Sequence, residues 1–303
     1  MRPRYRSLYA SGELADRVRE LKKQYRTCTL CPHQCGIDRT SGQFGRCRSG
    51  HLPVVASYTV HHGEEPPISG IHGSGTIFFT GCTGSCIYCQ NYPISQLGTG
   101  TVVSESRLAG MMLSLQERGC HNINFVTPTH FVPSIVEALA GAIKRGLSVP
   151  LVYNTSGYER IETLRMLDGI IDIYLPDIKY SDDTIARELS GFHEYTRHNR
   201  DAIREMHRQV GDLRTYRGRA TRGVIIRHLI LPGGLAGTEE SLQFLAREVS
   251  PHIRISLMEQ YFPAYKALTH EVLSQRITDD EYTDAVHAVS RIGLKNGWVQ
   301  YRR

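Results

Sequence analysis

Residues 75–96 read GTIFFTGCTGSCIYCQNYPISQ. An apolar run at 76–80 leads straight into a glycine-punctuated loop carrying Cys82, Cys86 and Cys89, spaced C-x3-C-x2-C. The run predicts a buried strand, and the glycines predict a turn directly after it. Thiolates two to four residues apart in a turn can converge on one centre, whereas adjacent cysteines in a strand point apart. Three thiols are one fewer than the usual complement of an iron–sulfur cluster, which leaves one iron open to a small molecule. A catalytic zinc also keeps an open position, but it favours His and carboxylate ligands over three thiolates.

Downstream of this loop, strand and helix patterns alternate. Ser104 is placed to cap a helix in which Leu108, Met111, Met112 and Leu115 recur at helical spacing before Gly119. Strands are expected at 122–126, 149–153, 170–175, 224–231 and 253–257. Helices are expected at 133–146, 159–167, 181–189, 200–210, from a Thr238 cap onward, and at 278–292. Six strands counted from Thr76, each followed by helix, argue for a parallel sheet with right-handed crossovers. Six units fall short of the eight of a closed barrel. Residues before about 75 are loop-rich and hold a second group of cysteines.

The C-x3-C-x2-C spacing with Tyr88 just before the last cysteine resembles the signature of the radical S-adenosylmethionine (radical SAM) enzymes. HHGEEPPISGIHGSGTIFFTGC, CQNYPISQ, INFVTPTHFVP, YNTSGYE, DIKY, VIIRHLILPG and LMEQYFPAYKA together resemble the pyruvate formate-lyase-activating-enzyme-like proteins of PflX type. CTLCPHQCGIDRTSGQFGRC resembles an N-terminal element that AmmeMemoRadiSam proteins share. The resemblance spans about residues 25–275. It implies an α/β fold, an open (β/α)6 partial TIM barrel over 75–275. An N-terminal cysteine-bearing appendage would occupy 1–74, and a C-terminal helix and tail 276–303.

The same resemblance implies that Cys82, Cys86 and Cys89 hold a [4Fe–4S] cluster. Its fourth iron would be chelated by the amino and carboxylate groups of S-adenosylmethionine, with Tyr88 near the adenine. One electron, from a donor such as flavodoxin or ferredoxin, would split the sulfonium and yield a 5′-deoxyadenosyl radical that abstracts hydrogen from substrate. In the activating-enzyme reading that substrate is a glycine in a protein partner. The alternative within enzymes is a peptide, RNA or small molecule. A third reading, a non-catalytic thiolate–metal protein, is opposed by the polar residues at the strand ends.

Ligands of parallel βα folds sit at the C-terminal ends of the strands. Thr127 and Thr129 fall after the second strand, Asn154 and Ser156 after the third, and Asp177 and Lys179 after the fourth. Arg227 lies in the fifth strand, and Glu259 and Gln260 follow the sixth. Together with Tyr88, the residues from Thr127 to Arg227 in this series are the candidates for binding cofactor. The Gly-Gly-Glu that the resemblance would place after the second strand is absent. Thr127 and Thr129, in Val126-Thr127-Pro128-Thr129, are the expected substitutes. Glu64 and Glu65, in GEEPP ahead of the barrel, form either an exposed acidic turn or a source of carboxylates. His130 and His228 read as hydrogen-bonded structural histidines, and Cys120 as a small buried apolar residue.

Cys28, Cys31, Cys35 and Cys47 are spaced C-x2-C-x3-C-x11-C, with Pro32, Gly36, Gly42 and Gly45 supplying turns. Four thiolates satisfy a structural zinc and equally a second [4Fe–4S] cluster. A structural metal needs no further partner, so zinc or a similar metal is the expectation. Disulfides are not expected, because a chain of 303 residues is neither small nor visibly secreted. The net charge of +6 is mild and spread out, so it does not by itself argue for nucleic acid. The basic stretches at 197–208 and 214–222, with Arg302 and Arg303, read as solvated faces. No run approaches the roughly 20 apolar residues of a membrane span. The N-terminus lacks the apolar run of a signal peptide. A cytoplasmic protein with no membrane partner is expected.

Overall fold

The computed structural model describes residues 3–299. Its strands are β1 (Val54–His61), β2 (Ser74–Phe79), β3 (Thr101–Val102), β4 (Ile123–Val126), β5 (Leu151–Thr155), β6 (Ile173–Pro176), β7 (Arg214–Tyr216), β8 (Arg219–Leu229), β9 (Arg254–Met258) and β10 (Gly297–Val299). They form one open sheet in the order β10-β9-β8-β6-β5-β4-β2-β1-β3, with β7 paired to β8. From β2 through β4, β5, β6, β8 and β9 the neighbours are parallel. These are the six expected strands, and the fold is the expected α/β class with a mostly parallel open sheet.

Helices cover the outer face of these strands. Glu105–Glu117 follows β2, Val132–Lys144 follows β4 and Ile161–Met166 follows β5. Asp183–Ser190 and Tyr195–Val210 follow β6, Thr238–Phe244 follows β8 and Asp279–Ile292 follows β9. All five residues of β5 are buried, as a strand covered on both faces requires. The Ser104 side chain accepts from Arg107 N–H at 3.2 Å, satisfying one of the free donors of the first turn. Thr238 departs from expectation. Gly237, at φ 60°, is the cap, and the Thr238 hydroxyl is instead 2.9 Å from His228 Nε2.

The first 74 residues are more ordered than their sequence suggested. Helices Tyr5–Ala10 and Glu13–Lys23 bury Tyr5, Leu14 and Leu21 against the outer helix layer. Tyr5 OH donates to Val149 O at 2.9 Å, and Lys22 pairs with Glu137 at 2.6 Å. β1 pairs antiparallel with β2, so the sheet runs across the boundary expected at 74/75. At the other edge β10 joins β9 in parallel. Both β1 and β10 escape the sequence pattern. β1 is largely half-exposed and polar on one face, and β10 is three residues long.

Between β1 and β2 the chain dips beneath the barrel. A single turn of helix, Pro66–Ser69, places Ile68 among Val152, Ile173, Leu175 and Ile225. Asn122 Nδ2 donates to Ile68 O at 2.8 Å, tying this floor to the start of β4. The GEEPP segment is therefore neither a surface turn nor a linker. It closes the N-terminal end of the barrel and lifts Glu64 into the interior.

The sheet's other face holds a buried carboxyl, Glu159. It accepts from the hydroxyls of Thr129 at 2.6 Å and Tyr153 at 3.3 Å, and from that of Thr155. Burial pushes its pKa up to about 7, although the three hydroxyls oppose the shift. A carboxyl raised on folding binds more protons in the native than in the unfolded state, so stability falls as pH rises between the two values. Thermal denaturation of Glu159→Gln is expected to show a higher Tm than the parent at pH 8. Its Tm should also fall less between pH 5 and pH 8. Parallel curves for the two proteins would show that Glu159 does not titrate in this range.

Candidate active site

The three thiols sit where β2 ends. Each sulfur meets a polar group: Gly84 N–H donates to Cys82 Sγ at 3.3 Å, Ser190 Oγ–H to Cys86 Sγ at 2.9 Å, and Cys89 Sγ lies 3.1 Å from Ser95 Oγ. The loop is held from outside by main-chain bonds. Ser85 N–H and Ile87 N–H donate to Ser190 O and Leu189 O at 2.8 and 2.9 Å, and Ala267 N–H donates to Ile87 O at 2.9 Å. Burial pushes the Cys82 thiol up to about 12, and the neighbouring Cys86 and Cys89 push the same way. Burial also raises Cys86, against the opposing charge of Lys179. Thiols gathered in this way release their protons when a metal replaces them.

Facing the thiols is a connected run of charged and amide side chains drawn from several strands. Lys179 Nζ lies 2.6 Å from Asp177 Oδ2, and Arg227 Nε donates to Asp177 Oδ1 at 2.9 Å. Arg227 Nη2 donates to Asn154 Oδ1 at 2.9 Å, and Arg227 Nη1 is 4.0 Å from Glu64 Oε2. Asn124 and Asn154 donate to Glu64 Oε1 at 3.0 and 3.4 Å. The chain of contacts thus runs from the barrel floor to the cysteine loop. Burial alone would raise the Asp177 carboxyl, but Arg227 and Lys179 outweigh it and hold the group below the usual carboxylate range. Burial works to lower Lys179, but Asp177 and Cys86 outweigh it and keep the ammonium above its usual value. Glu65 is pushed up to about 7 by burial, with Glu64 adding and Arg227 opposing.

The candidates from sequence divide into four groups. Asp177, Lys179, Arg227 and Asn154 converge in this network. Thr127 and Ser156 are half-buried at the ends of β4 and β5, and Ser156 O accepts from Tyr195 OH at 3.0 Å. Thr127 sits at φ 58°, a left-handed conformation that is an outlier for a β-branched residue. Thr129 points elsewhere: it is buried and spends its hydroxyl on Glu159, because the chain turns after Thr127 and presents Thr129 to the helix side of the sheet. Tyr88 is buried with its ring edge-on to Tyr261. Its hydroxyl is 2.7 Å from that of Tyr180, which in turn meets Ser190, the donor to Cys86.

Asn124 was missed by the sequence reading. Its signal was available: it is the one amide inside the apolar run of β4. His130 and His228 are buried and bonded to the carbonyls of Thr80 and Ile178 at 2.9 and 2.7 Å. Burial lowers them to about 3 and about 4, so both are neutral structural groups. Cys120 is buried. The four N-terminal cysteines lie beside the site. Burial raises the Cys31 thiol, and Cys47, Cys28 and Cys35 push it the same way. His33 Nε2, between Cys31 and Cys35, is 2.7 Å from the carbonyl of Thr83 in the cysteine loop.

The model of the Radical SAM superfamily matches residues 76–233, slightly more than half the chain. The chain belongs to the radical SAM superfamily. A Methanocaldococcus jannaschii protein of uncharacterized function is 28% identical over 296 residues, covering 94% of this chain and 81% of that one. Among solved structures, HydG, a maturase of the [FeFe]-hydrogenase, aligns with TM-score 0.52 at 12% identity, over 76% of this chain and 52% of HydG. HydG from Carboxydothermus hydrogenoformans aligns with TM-score 0.50 at 15% identity, over 76% of this chain and 54% of that one. The chain thus spans about half the length of these structures, and the likeness is one of fold.

Radical SAM membership implies a [4Fe–4S] cluster and S-adenosylmethionine, and the cysteine loop fits the cluster. Among the described residues no three His, Cys, Asp or Glu side chains are gathered tightly enough to share one metal ion. A cluster does not ask for that, since each thiolate takes its own iron. The hydrogen-bond donors at the sulfurs suit thiolates, and Lys179 adds positive charge beside an anionic centre. Also among the described residues, no helix is long and apolar enough to cross a membrane.

Asp177 is the joint of the network. Asp177→Ala leaves Lys179 and Arg227 as neighbouring cations without their shared carboxylate, a loss of about 3 kcal/mol. Urea denaturation of the purified protein is expected to show that drop at pH 7. A loss below about 1 kcal/mol, the worth of an exposed pair, would place the three side chains in solvent.

Proposed function

We propose that this radical SAM protein is an oxidoreductase of the activating-enzyme type, close to the PflX group, whose substrate is a glycine in a protein partner. The observation that carries the radical reading is the loop of Cys82, Cys86 and Cys89, each sulfur met by a polar group, facing the buried Asp177–Lys179–Arg227 cluster. When bound, the iron–sulfur cluster and S-adenosylmethionine supply a hydrogen-abstracting 5′-deoxyadenosyl radical. Cys82, Cys86 and Cys89 hold the cluster, and Lys179 and Arg227 offer cations to the cofactor's carboxylate. Asp177 and the Thr127 hydroxyl would take the cofactor's amino group in place of the family's missing Gly-Gly-Glu. Asn154, bonded to both Arg227 and Glu64, positions the guanidinium. The activating-enzyme assignment is supported by GEEPP, which is built into the barrel interior, and by DIKY, whose Asp177 and Lys179 form the ion pair.

Each of Cys82→Ala, Cys86→Ala and Cys89→Ala is expected to abolish formation of 5′-deoxyadenosine by reconstituted protein supplied with dithionite. Full product from any one of them would overturn the radical assignment. Incubation with candidate protein partners, followed by a search for a glycine-centred radical by electron paramagnetic resonance, tests the substrate class. Product formed only with a peptide, RNA or small molecule would place the chain outside the activases.

The electron is taken from a low-potential carrier such as flavodoxin or ferredoxin, in the cytoplasm, where thiols stay reduced. A cleft of about 470 Å³ supports this partner. It is lined by Gly84 and Ser85 of the cysteine loop and by Arg46, Arg48, Arg187 and Lys266, with Glu188 as its one carboxylate. All four cations are exposed, so the cleft suits an acidic protein surface. The basic helix Tyr195–Val210 is different, because Arg197, Arg204 and Arg208 are paired with acids. Arg302 and Arg303 lie outside the described residues. The double variant Arg187→Glu, Lys266→Glu is expected to lower turnover with a flavodoxin donor at least tenfold relative to turnover with dithionite. An unchanged ratio would remove the cleft as the donor's docking face.

A further inference from the structure

A chain of three buried hydroxyls ends on the Cys86 sulfur, and holding iron does not by itself require it. Ser190 Oγ–H donates to Cys86 Sγ at 2.9 Å. Tyr180 OH lies 2.5 Å from Ser190 Oγ, and Tyr88 OH lies 2.7 Å from Tyr180 OH. All three residues are buried. They come from three places in the chain: Tyr88 from the cysteine loop, Tyr180 from the turn after β6, and Ser190 from the end of helix Asp183–Ser190. Two contacts fix the geometry. Ser190 O accepts from Ser85 N–H at 2.8 Å, which pins the donor to the loop that carries the thiol. The Tyr180 ring stands edge-on to Tyr195, with centroids 5.5 Å apart.

Iron binding gives this chain a direction. Each hydroxyl has one proton to donate. A thiol that ligates metal has lost its proton, so its sulfur can only accept. Ser190 must then spend its proton on Cys86, which leaves its oxygen to accept from Tyr180. Tyr180 in turn is left to accept from Tyr88. Three O–H dipoles point the same way, toward the sulfur. Hydrogen bonds aligned in series polarise one another, each strengthened by roughly 10–30%. The other two sulfurs have shorter support. Cys82 is met by the main-chain N–H of Gly84. Ser95, at Cys89, is backed by the longer 3.3 Å bond from Gln96 Nε2.

We propose that Tyr88, Tyr180 and Ser190 act in series as positioning residues, directing hydrogen-bond donation onto the Cys86 thiolate and so raising the reduction potential of the cluster it helps to hold. The proposal rests on the reading of Cys82, Cys86 and Cys89 as cluster ligands. Hydrogen bonds to the sulfurs are among the features that set a cluster's potential. They favour the reduced state because it carries the greater negative charge. Tyr88 then serves through its hydroxyl as well as its ring, which packs edge-on to Tyr261. A purely structural role for the three hydroxyls, each satisfying its neighbour in the core, would leave the potential where it is.

The test is a redox titration of the full chain, reconstituted without oxygen, that follows the paramagnetic signal lost in Cys86→Ala. Ser190→Ala is expected to lower the reduced-to-oxidised ratio at a fixed poise about tenfold, a shift of about 59 mV to more negative potential for one electron. Tyr180→Phe removes one oxygen and keeps the ring against Tyr195. It should shift the potential the same way by less, and Tyr88→Phe by less again. Adding Tyr180→Phe to Ser190→Ala should bring no further shift, because groups in series couple and the link to the sulfur is already cut. Additive shifts in the double variant, or an unchanged potential in Tyr180→Phe, would overturn the proposal. Should Ser190→Ala fail to hold a cluster, Tyr180→Phe and Tyr88→Phe carry the test alone, and parent-like potentials in both would overturn it. A parent that forms 5′-deoxyadenosine but whose potential ignores the hydroxyls fails the proposal and leaves the radical reading intact. A parent that holds iron without forming that product fails the radical reading, and its potentials still decide the proposal.

Discussion

The Asp177 carboxylate, held between Lys179 and Arg227, is the interaction on which the site depends. It joins two strands at their C-terminal ends, since Asp177 follows β6 and Arg227 belongs to β8. It also carries charge from the barrel floor to the cysteine loop, through Glu64 on one side and Lys179 on the other. Buried charges of this kind are tolerated only when every member has a partner. That requirement dictates much around it: Asn124 and Asn154 in otherwise apolar strands, and a floor segment that raises Glu64 instead of an apolar plug.

The same logic governs the N-terminal element. A chain of this size buries enough apolar surface to need no metal staple, so a four-thiol element is not there to rescue a small core. Its helices already dock on the barrel through Tyr5, Leu14 and Leu21. What the cysteine segment adds is contact with the radical loop, through His33, Arg48 and the bare Cα of Gly81. The radical loop is therefore clamped on two sides, by this element and by the main-chain bonds to Leu189, Ser190 and Ala267. Two clamps hold three thiols in place on a segment with no helical or strand ladder of its own.

Much of the fold was legible because the central strands are buried on both faces and their apolar runs are unbroken. The cap at Ser104 was legible because a hydroxyl three residues ahead of a free N–H is a local matter; the capping box of Thr278 with Glu281 was equally local and went unread. Thr238 was misread, because its hydroxyl was claimed by His228, which lies ten residues away and on another element. The outer strands β1 and β10 were not legible. Their hydrogen bonds come from a neighbour, and neither carries an apolar pattern of its own. Within the site, Asp177 and Lys179 could be seen as a pair at a strand end. The turn at Thr127 that sends Thr129 to the opposite face could not, since it is set by a left-handed backbone angle that threonine does not advertise.

The sequence by itself determined the order of strands and helices, the position of the cysteine loop after β2, and the family to which that loop belongs. These follow from periodicity and from spacing along the chain, which are local quantities. Only the tertiary structure decided that GEEPP closes the barrel floor, that Glu64 meets Arg227, and that Arg39 is buried beside Cys28. Those facts concern residues far apart in the chain, brought together by the closing of the sheet. The energy of a charge depends on what surrounds it in space, not on what precedes it in sequence.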